Sequence, residues 1–243
     1  MSDLTDRQKD LLKSIVELYV KNGEPVGSEH VDKDYDLGVS PATIRHEMVE
    51  LTQKGFLKQP HTSAGRIPTS MGFRVYISEL MKEKDLPVAA EVAIKQNLWL
   101  KRNEEAKLLK EAVKGLASRC RMLALAVSLE QEIYYAGAAN ILDFAEFENI
   151  DVTRFVLSLF DEFPTLKQIL GKAVGAEQVH ILFGEDLEYE YLDTTGFVFC
   201  RFEGNNQKTG VIGVIGPARM NFPVVLPYVR YTSNLIEQAL KAI

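Results

Sequence analysis

The chain is poor in cysteine and histidine, and it has no long apolar run. Its two cysteines, Cys120 and Cys200, lie far apart, outside any Cys-x-x-Cys pair and without a nearby histidine cluster. That excludes both a zinc site and a disulfide framework and makes them buried apolar residues. The four histidines form no HExxH pair and no GxSxG run is present, so neither a metal nor a nucleophile is on offer; an enzyme, a metal and a cofactor are not expected. Gly210, Gly213 and Gly216 lack the Gly-Lys-Ser/Thr of a phosphate loop and the GxGxxG of a dinucleotide site, and read as a strand ending in a turn. No segment approaches the ~20 apolar residues of a membrane span, and the polar N-terminus is no signal peptide, so a cytoplasmic location without membrane association is expected. Positive charge is not in excess either. At a net −6, a nucleic-acid role requires a locally basic surface.

What is present is enough for roughly two domains, with 243 residues and 46% hydrophobic content. Over 5–21 a capping box, Thr5 with Gln8, precedes apolar residues at Leu11, Ile15, Tyr19 and Leu12, Val16, Val20, which predicts an amphipathic helix. Residues 23–27 break it, and Ser28 is placed to cap a short helix through Lys33. Residues 36–39 read as a tight turn. Ser40 and Pro41 then supply an N-cap and a first-turn proline for a third helix with Ile44, Met48 and Leu51 on its inner face, stopping at Gly55. Residues 56–59 and 66–68 read as the strands of a hairpin around a turn at 60–65. Thr69 caps a fourth helix with Phe73, Tyr76, Ile77, Leu80 and Met81 on one stripe, ending at a charged stretch, 82–85.

The second half is expected to be α+β. A helix from Glu104 places Leu109, Val113, Leu116, Cys120 and Leu123 on one seam, either packed against its own domain or forming a dimer. A helix over 152–170, a strand at 179–183, a strand pair at 197–202 and 210–215 with Asn205 and Asn206 in its loop, and a closing helix carrying Val225, Tyr228, Val229, Leu235, Ile236 and Leu240 complete a small domain with an antiparallel sheet. The expected division is a winged helix-turn-helix domain over 1–85, a helical linker over 86–127 and an α+β domain over 128–243.

Helix, helix, turn, helix and hairpin in that order is the arrangement in which the third helix enters the major groove and the hairpin forms a wing. With Ile44, Met48 and Leu51 inward, the outward face offers Ser40, Thr43, Arg45 and His46, and arginine is the best single reader of guanine's paired acceptors. Between Ser40 and Tyr76, the cations Arg45, Lys54, Lys58, Arg66 and Arg74 outnumber the anions Glu47 and Glu50. Lys54, Lys58, His61, Thr62, Ser63 and Arg66 suit phosphate contact, which positions a duplex without reading it.

The runs Gly23-Glu-Pro-Val-Gly-Ser28, Gly38-Val-Ser-Pro-Ala-Thr-Ile-Arg45 and Gln59-Pro-His-Thr-Ser-Ala-Gly-Arg-Ile-Pro-Thr69 resemble signature runs of the heat-inducible transcription repressor family HrcA. Gly210-Val-Ile-Gly-Val-Ile-Gly-Pro-Ala-Arg-Met220 and Ile133-Tyr-Tyr-Ala-Gly-Ala-Ala-Asn-Ile-Leu142 resemble the family's C-terminal strand and middle segment. The resemblance implies a homodimeric repressor on an inverted-repeat operator upstream of chaperone operons, kept active by the chaperonin GroEL. It also implies a GAF-like second domain carrying an inserted dimerising domain.

Two departures from that pattern stand out. Members of the family run roughly a hundred residues longer. This chain passes almost directly from residues 116–126 to Tyr134 and Tyr135, so the early strands of the GAF-like domain and the insertion are expected to be missing, which makes the Leu109 to Leu123 seam a candidate substitute dimer contact. The other departure is His46, which stands where the family run leads one to expect asparagine. Two other function classes remain open at this point: a winged-helix regulator that senses a small ligand through the shortened domain, and a winged helix that binds protein instead of DNA.

Overall fold

The structure, a computed structural model, describes residues 3–35, 38–175, 177–204 and 208–242. Asp36 and Leu37 of the predicted turn, and Asn205 and Asn206 of the predicted loop, lie outside the described residues. The chain divides into two compact units, Met1–Lys82 and Glu83–Ile243.

In the first unit, α1 (Asp6–Asn22) starts with both halves of the capping box formed between Thr5 and Gln8. It buries Leu11, Leu12, Ile15 and Val16, the stripe expected from its periodicity. Helix α2 (Ser28–Asp34) is capped differently from expectation: Gly27 is the N-cap, no side chain caps it, and Ser28 is already helical. Helix α3 (Pro41–Gln53) has Ser40 as N-cap, its Oγ accepting from the Thr43 amide, and Pro41 in the first turn. The chain leaves α3 through Gly55 at φ 82°, a left-handed conformation that a side chain would strain. Strands β1 (Leu57–Lys58) and β2 (Ile67–Pro68) pair antiparallel. Thr69 then caps α4 (Ser70–Val75), which runs on as a wider helical turn over Tyr76–Leu80. The core is formed by Leu11, Leu12, Ile15 and Val16 of α1, Val31 of α2, Ile44, Met48 and Leu51 of α3, and Phe56, Leu57 and Phe73.

The second unit carries a five-stranded antiparallel sheet in the order β4-β3-β7-β6-β5, formed by β3 (Leu123–Val127), β4 (Ile133–Ala136), β5 (Val179–Phe183), β6 (Thr195–Glu203) and β7 (Thr209–Pro217). Register fixes two faces. Leu123, Leu125, Phe197, Phe199 and Ile215 share a core with α7 (Ile150–Ser158) and α8 (Phe163–Gly171). The alternate residues Ala124, Ala126, Val198, Cys200 and Val214 are also buried, on the side where α6 (Glu105–Cys120) and α9 (Phe222–Lys241) pack. The α+β class is therefore the one expected, and Gly210, Gly213 and Gly216 all lie in β7.

Three expectations need correction. Residues 86–127 are not a linker: α5 (Val88–Trp99), α6 and β3 all belong to the second unit. The seam residues Leu109, Val113, Leu116, Cys120 and Leu123 are all buried within this unit. They pack against its own α9 and sheet, with Leu123 already in β3, and are thus unavailable as a dimer seam. The single helix expected over 152–170 is broken between α7 and α8, because Pro164 lacks an amide hydrogen and is accepted only in a helix's first turn.

Both cysteines are buried, as expected, and burial pushes each thiol up to about 12. Among the described residues no group of His, Cys, Asp and Glu could hold a metal ion, and no helix is long and apolar enough to cross a membrane.

Candidate nucleic-acid interface

Helix α3 is held from behind by a polar network that its sequence alone does not reveal. Glu47, 5% exposed, points back at α1. It accepts hydrogen bonds from Arg7 Nε (2.8 Å) and Nη2, and from Gln8 Nε2 (3.0 Å). Gln8 Nε2 also donates to Glu50 (2.7 Å), and Lys54 Nζ donates to Gln8 Oε1 and to the Asp3 carbonyl, each at 3.0 Å. Burial alone would raise the Glu47 carboxyl; the hydrogen bonds from Arg7 and Gln8, with the Arg7 charge, outweigh it and hold the carboxyl below its ordinary range.

A depressed folded pKa means that the folded state gains from ionised Glu47 above the ordinary glutamate value, and that this gain disappears as pH falls below it toward the depressed folded value. Glu47→Gln is expected to lower stability by about 1–2 kcal/mol at neutral pH. Urea unfolding of the full chain followed by circular dichroism measures it, and the difference between the two proteins should shrink as the pH is brought down through the carboxylate range. An equal difference at all pH values would remove the charge from the explanation.

This network takes up two of the charged residues counted between Ser40 and Tyr76. Glu47, one of the two anions in that count, is buried behind the helix. Lys54, expected to contact phosphate, sits at the C-terminal end of α3 and is engaged with the start of α1.

The outward face of α3 is otherwise arranged as its periodicity predicts. Ile44, Met48 and Leu51 are buried, while Ser40, Arg45 and His46 are exposed and Thr43 is partly so. The Ser40 hydroxyl is occupied in capping and lies 3.1 Å from Thr43 Oγ1. His46 Nε2 lies 3.2 Å from Glu50 Oε1. Arg45 has no hydrogen-bond or ion-pair partner among the described residues. Ala42 and Val49 are also exposed on this helix, and residue-type reasoning passes over them because they are apolar.

The wing is built by close backbone approach. Val26, ahead of α2, pairs with Arg66 through Val26 N to Arg66 O (2.9 Å) and Arg66 N to Val26 O (2.8 Å). Gly65 lies against Val26 so closely that a Cβ there would meet its carbonyl at 2.4 Å. Gln59 Nε2 donates to the Thr62 and Ala64 carbonyls, both at 2.9 Å, which folds the tip. His61, Thr62 and Ser63 are exposed on that tip, with His61 Nδ1 3.3 Å from Ser63 Oγ. Lys58 is partly buried on β1. Arg66 Nε donates to Thr52 Oγ1 (3.1 Å), tying the wing to α3.

Between these parts runs a cleft of about 170 Å³, with Arg45 and Met48 of α3 on one side, Val26 and Gly27 at its end and the tip and Arg66 on the other. Arg45, Arg66, Thr62 and Ser63 are thus brought together on one concave surface, with His61 on the same tip, while Lys54 is placed elsewhere.

Comparison with known proteins agrees with this architecture. Residues 3–81 match the family model described as winged helix-turn-helix transcription repressor, HrcA DNA-binding, and residues 69–226 match the HrcA protein C terminal domain. The heat-inducible transcription repressor HrcA of Desulforudis audaxviator is 24% identical over 338 aligned positions, covering 98% of each chain. That of Ruminiclostridium cellulolyticum is 25% identical over 339 positions, covering 98% of this chain and 97% of the other. The 338 positions are 95 more than this chain has residues, so the shortfall foreseen from its length is internal. A crystal structure of a hypothetical protein superposes over 99% of both chains with a TM-score of 0.78 at 19% identity, which establishes a shared fold. Matched over both of its units, the chain belongs to the HrcA family of winged-helix transcription repressors.

Proposed function

We propose that the chain represses chaperone operons by binding, as a homodimer, an inverted-repeat operator, with Arg45 reading a base edge and the wing holding the phosphate backbone. The observation that carries this reading is Arg45. It is an exposed arginine without a partner among the described residues, on the N-terminal half of α3 and beside a wing that bears Arg66 and three exposed polar residues. An unpaired guanidinium in that position matches the paired acceptors of guanine in the major groove. Thr43 and His46 are the neighbouring candidates for base or sugar contact. Ser40, already hydrogen-bonded as a cap, lies where the helix N-terminus favours a phosphate. His61, Thr62, Ser63, Lys58 and Arg66 supply the sequence-independent contacts.

The dimer contact in this reading lies on surface outside the buried 109–123 seam. The names of the relatives, heat-inducible repressors, support a role in the heat response. In this reading the chaperonin GroEL is the partner that keeps the repressor active. A gel-shift titration of the full chain against a chaperone-promoter inverted repeat and a scrambled duplex, at two salt concentrations, tests the reading. The expected result is selective retention of the inverted repeat that weakens steeply with salt, and firmer retention when GroEL is added. Equal weak retention of both duplexes would remove operator specificity, and none at all would favour a protein-binding winged helix.

A further inference from the structure

The second unit contains a cleft that DNA binding leaves without a role. It lies at one end of the sheet, on the face covered by α7 and α8, and has a volume of about 240 Å³. Its sheet wall presents Val127 and Val211, and its helix wall presents Phe163 and Leu170 of α8. Two cations line the same space: Arg201 from β6 and Lys167 from α8.

Neither cation is neutralised by a carboxylate among the described residues. Lys167 Nζ reaches only Gln131 Oε1, at 3.4 Å. Arg201 Nη2 donates to the Ala173 carbonyl at 3.0 Å, and Nη1 lies 3.3 Å from His180 Nε2. Because a guanidinium can only donate, His180 Nε2 is the acceptor and its ring is neutral. That agrees with the direction of its pKa, which burial and then the Arg201 charge push down. These bonds fix the guanidinium and leave its other N–H groups for a further acceptor. Two unneutralised cations above an apolar floor attract an anion whose remainder is apolar, and each can give a carboxylate a charge-assisted hydrogen bond. The volume lies below the roughly 300–1,000 Å³ of pockets for drug-sized molecules, which limits the occupant to a small one.

We propose that this cleft binds a small carboxylate with an apolar body, the carboxylate held by Arg201 and Lys167. The site gives the second unit an effector-binding capacity in addition to its place in a repressor. Isothermal titration of the full chain with sodium benzoate and sodium hexanoate, against benzyl alcohol and 1-hexanol as uncharged analogues, tests it. The carboxylates should bind at least about tenfold more tightly than the alcohols, and Arg201→Gln and Lys167→Gln should each weaken them by about tenfold. Lys167→Gln sits on the solvent side of α8 and serves as the independent variant if Arg201→Gln alters the unfolding midpoint. Absence of carboxylate binding, equal binding of the alcohols, or carboxylate binding unchanged in both variants would overturn the proposal. The readout contains no DNA, so its failure leaves the operator reading standing, and failure of the operator reading leaves this site standing.

Discussion

Arg45→Ala is expected to weaken binding to the inverted repeat by about 1–3 kcal/mol and to relax sequence preference at one position of each half-site. The fold should be unaffected. Arg45 is exposed and has no partner among the described residues, and alanine is at least as good a helix former. The weakening is therefore attributable to the duplex. Arg66→Ala provides the contrast. Its side chain reaches from the wing to Thr52 of α3, and removing a phosphate-binding cation there should weaken operator and scrambled duplex about equally and reduce the salt slope by about one. Competition gel shifts with operators altered one base pair at a time separate the two cases. If Arg45→Ala bound every altered site with the unchanged order of preference, the base-reading role would be refuted and Arg45 would join Arg66 in holding the backbone.

The parts of the fold legible in the sequence are those written in local chemistry. Thr5 with Gln8, Ser40 with Pro41, and Thr69 each mark a helix start by an oxygen placed for an orphan amide, and all three caps are present. The α3 burial pattern follows from spacing alone. What fails does so for identifiable reasons. Helix α5 receives no bounds within the helical stretch expected over 86–127, because its buried residues, Ile94 and Leu98, are interspersed with exposed Val88, Val92 and Trp99, which leaves no single stripe. Strand β3, Leu123–Val127, is buried on both faces, so it shows a continuous apolar run in place of alternation and merges with the helix before it. Its left-handed junction at Arg121, φ 53°, carries no glycine to announce it. Within the interface, residue type alone assigns Glu47 and Lys54 to the surface. Their partners, Arg7, Gln8 and Asp3, lie around forty or more residues away in the chain, and no local pattern registers such pairs.

Gly65→Ala is expected to disable the wing while sparing the helices. Gly65 has no left-handed backbone that would penalise a side chain, so the effect is steric and isolates one close approach. The added methyl would meet Val26 C and O at 2.4 Å and Gly27 N at 2.9 Å, and these are backbone atoms that cannot turn aside as a side chain would. Relief requires the wing to move off Val26, breaking the reciprocal Val26–Arg66 bonds and costing about 1–3 kcal/mol of stability. Arg66, Ser63 and Thr62 then leave the cleft that Arg45 lines. Affinity for operator and scrambled duplex should fall together by about tenfold or more, and the salt dependence should flatten by roughly 0.9 for each phosphate no longer neutralised. Gly27→Ala is the control at the end of the same cleft, because a Cβ there meets nothing within 4 Å. It should retain both affinity and slope, apart from a small change in the capping of α2. Circular dichroism melts alongside gel shifts at two salt concentrations distinguish the outcomes. A Gly65→Ala protein with lowered stability but unchanged salt slope would show that the wing supports the fold without touching the duplex, and would leave α3 as the whole of the interface.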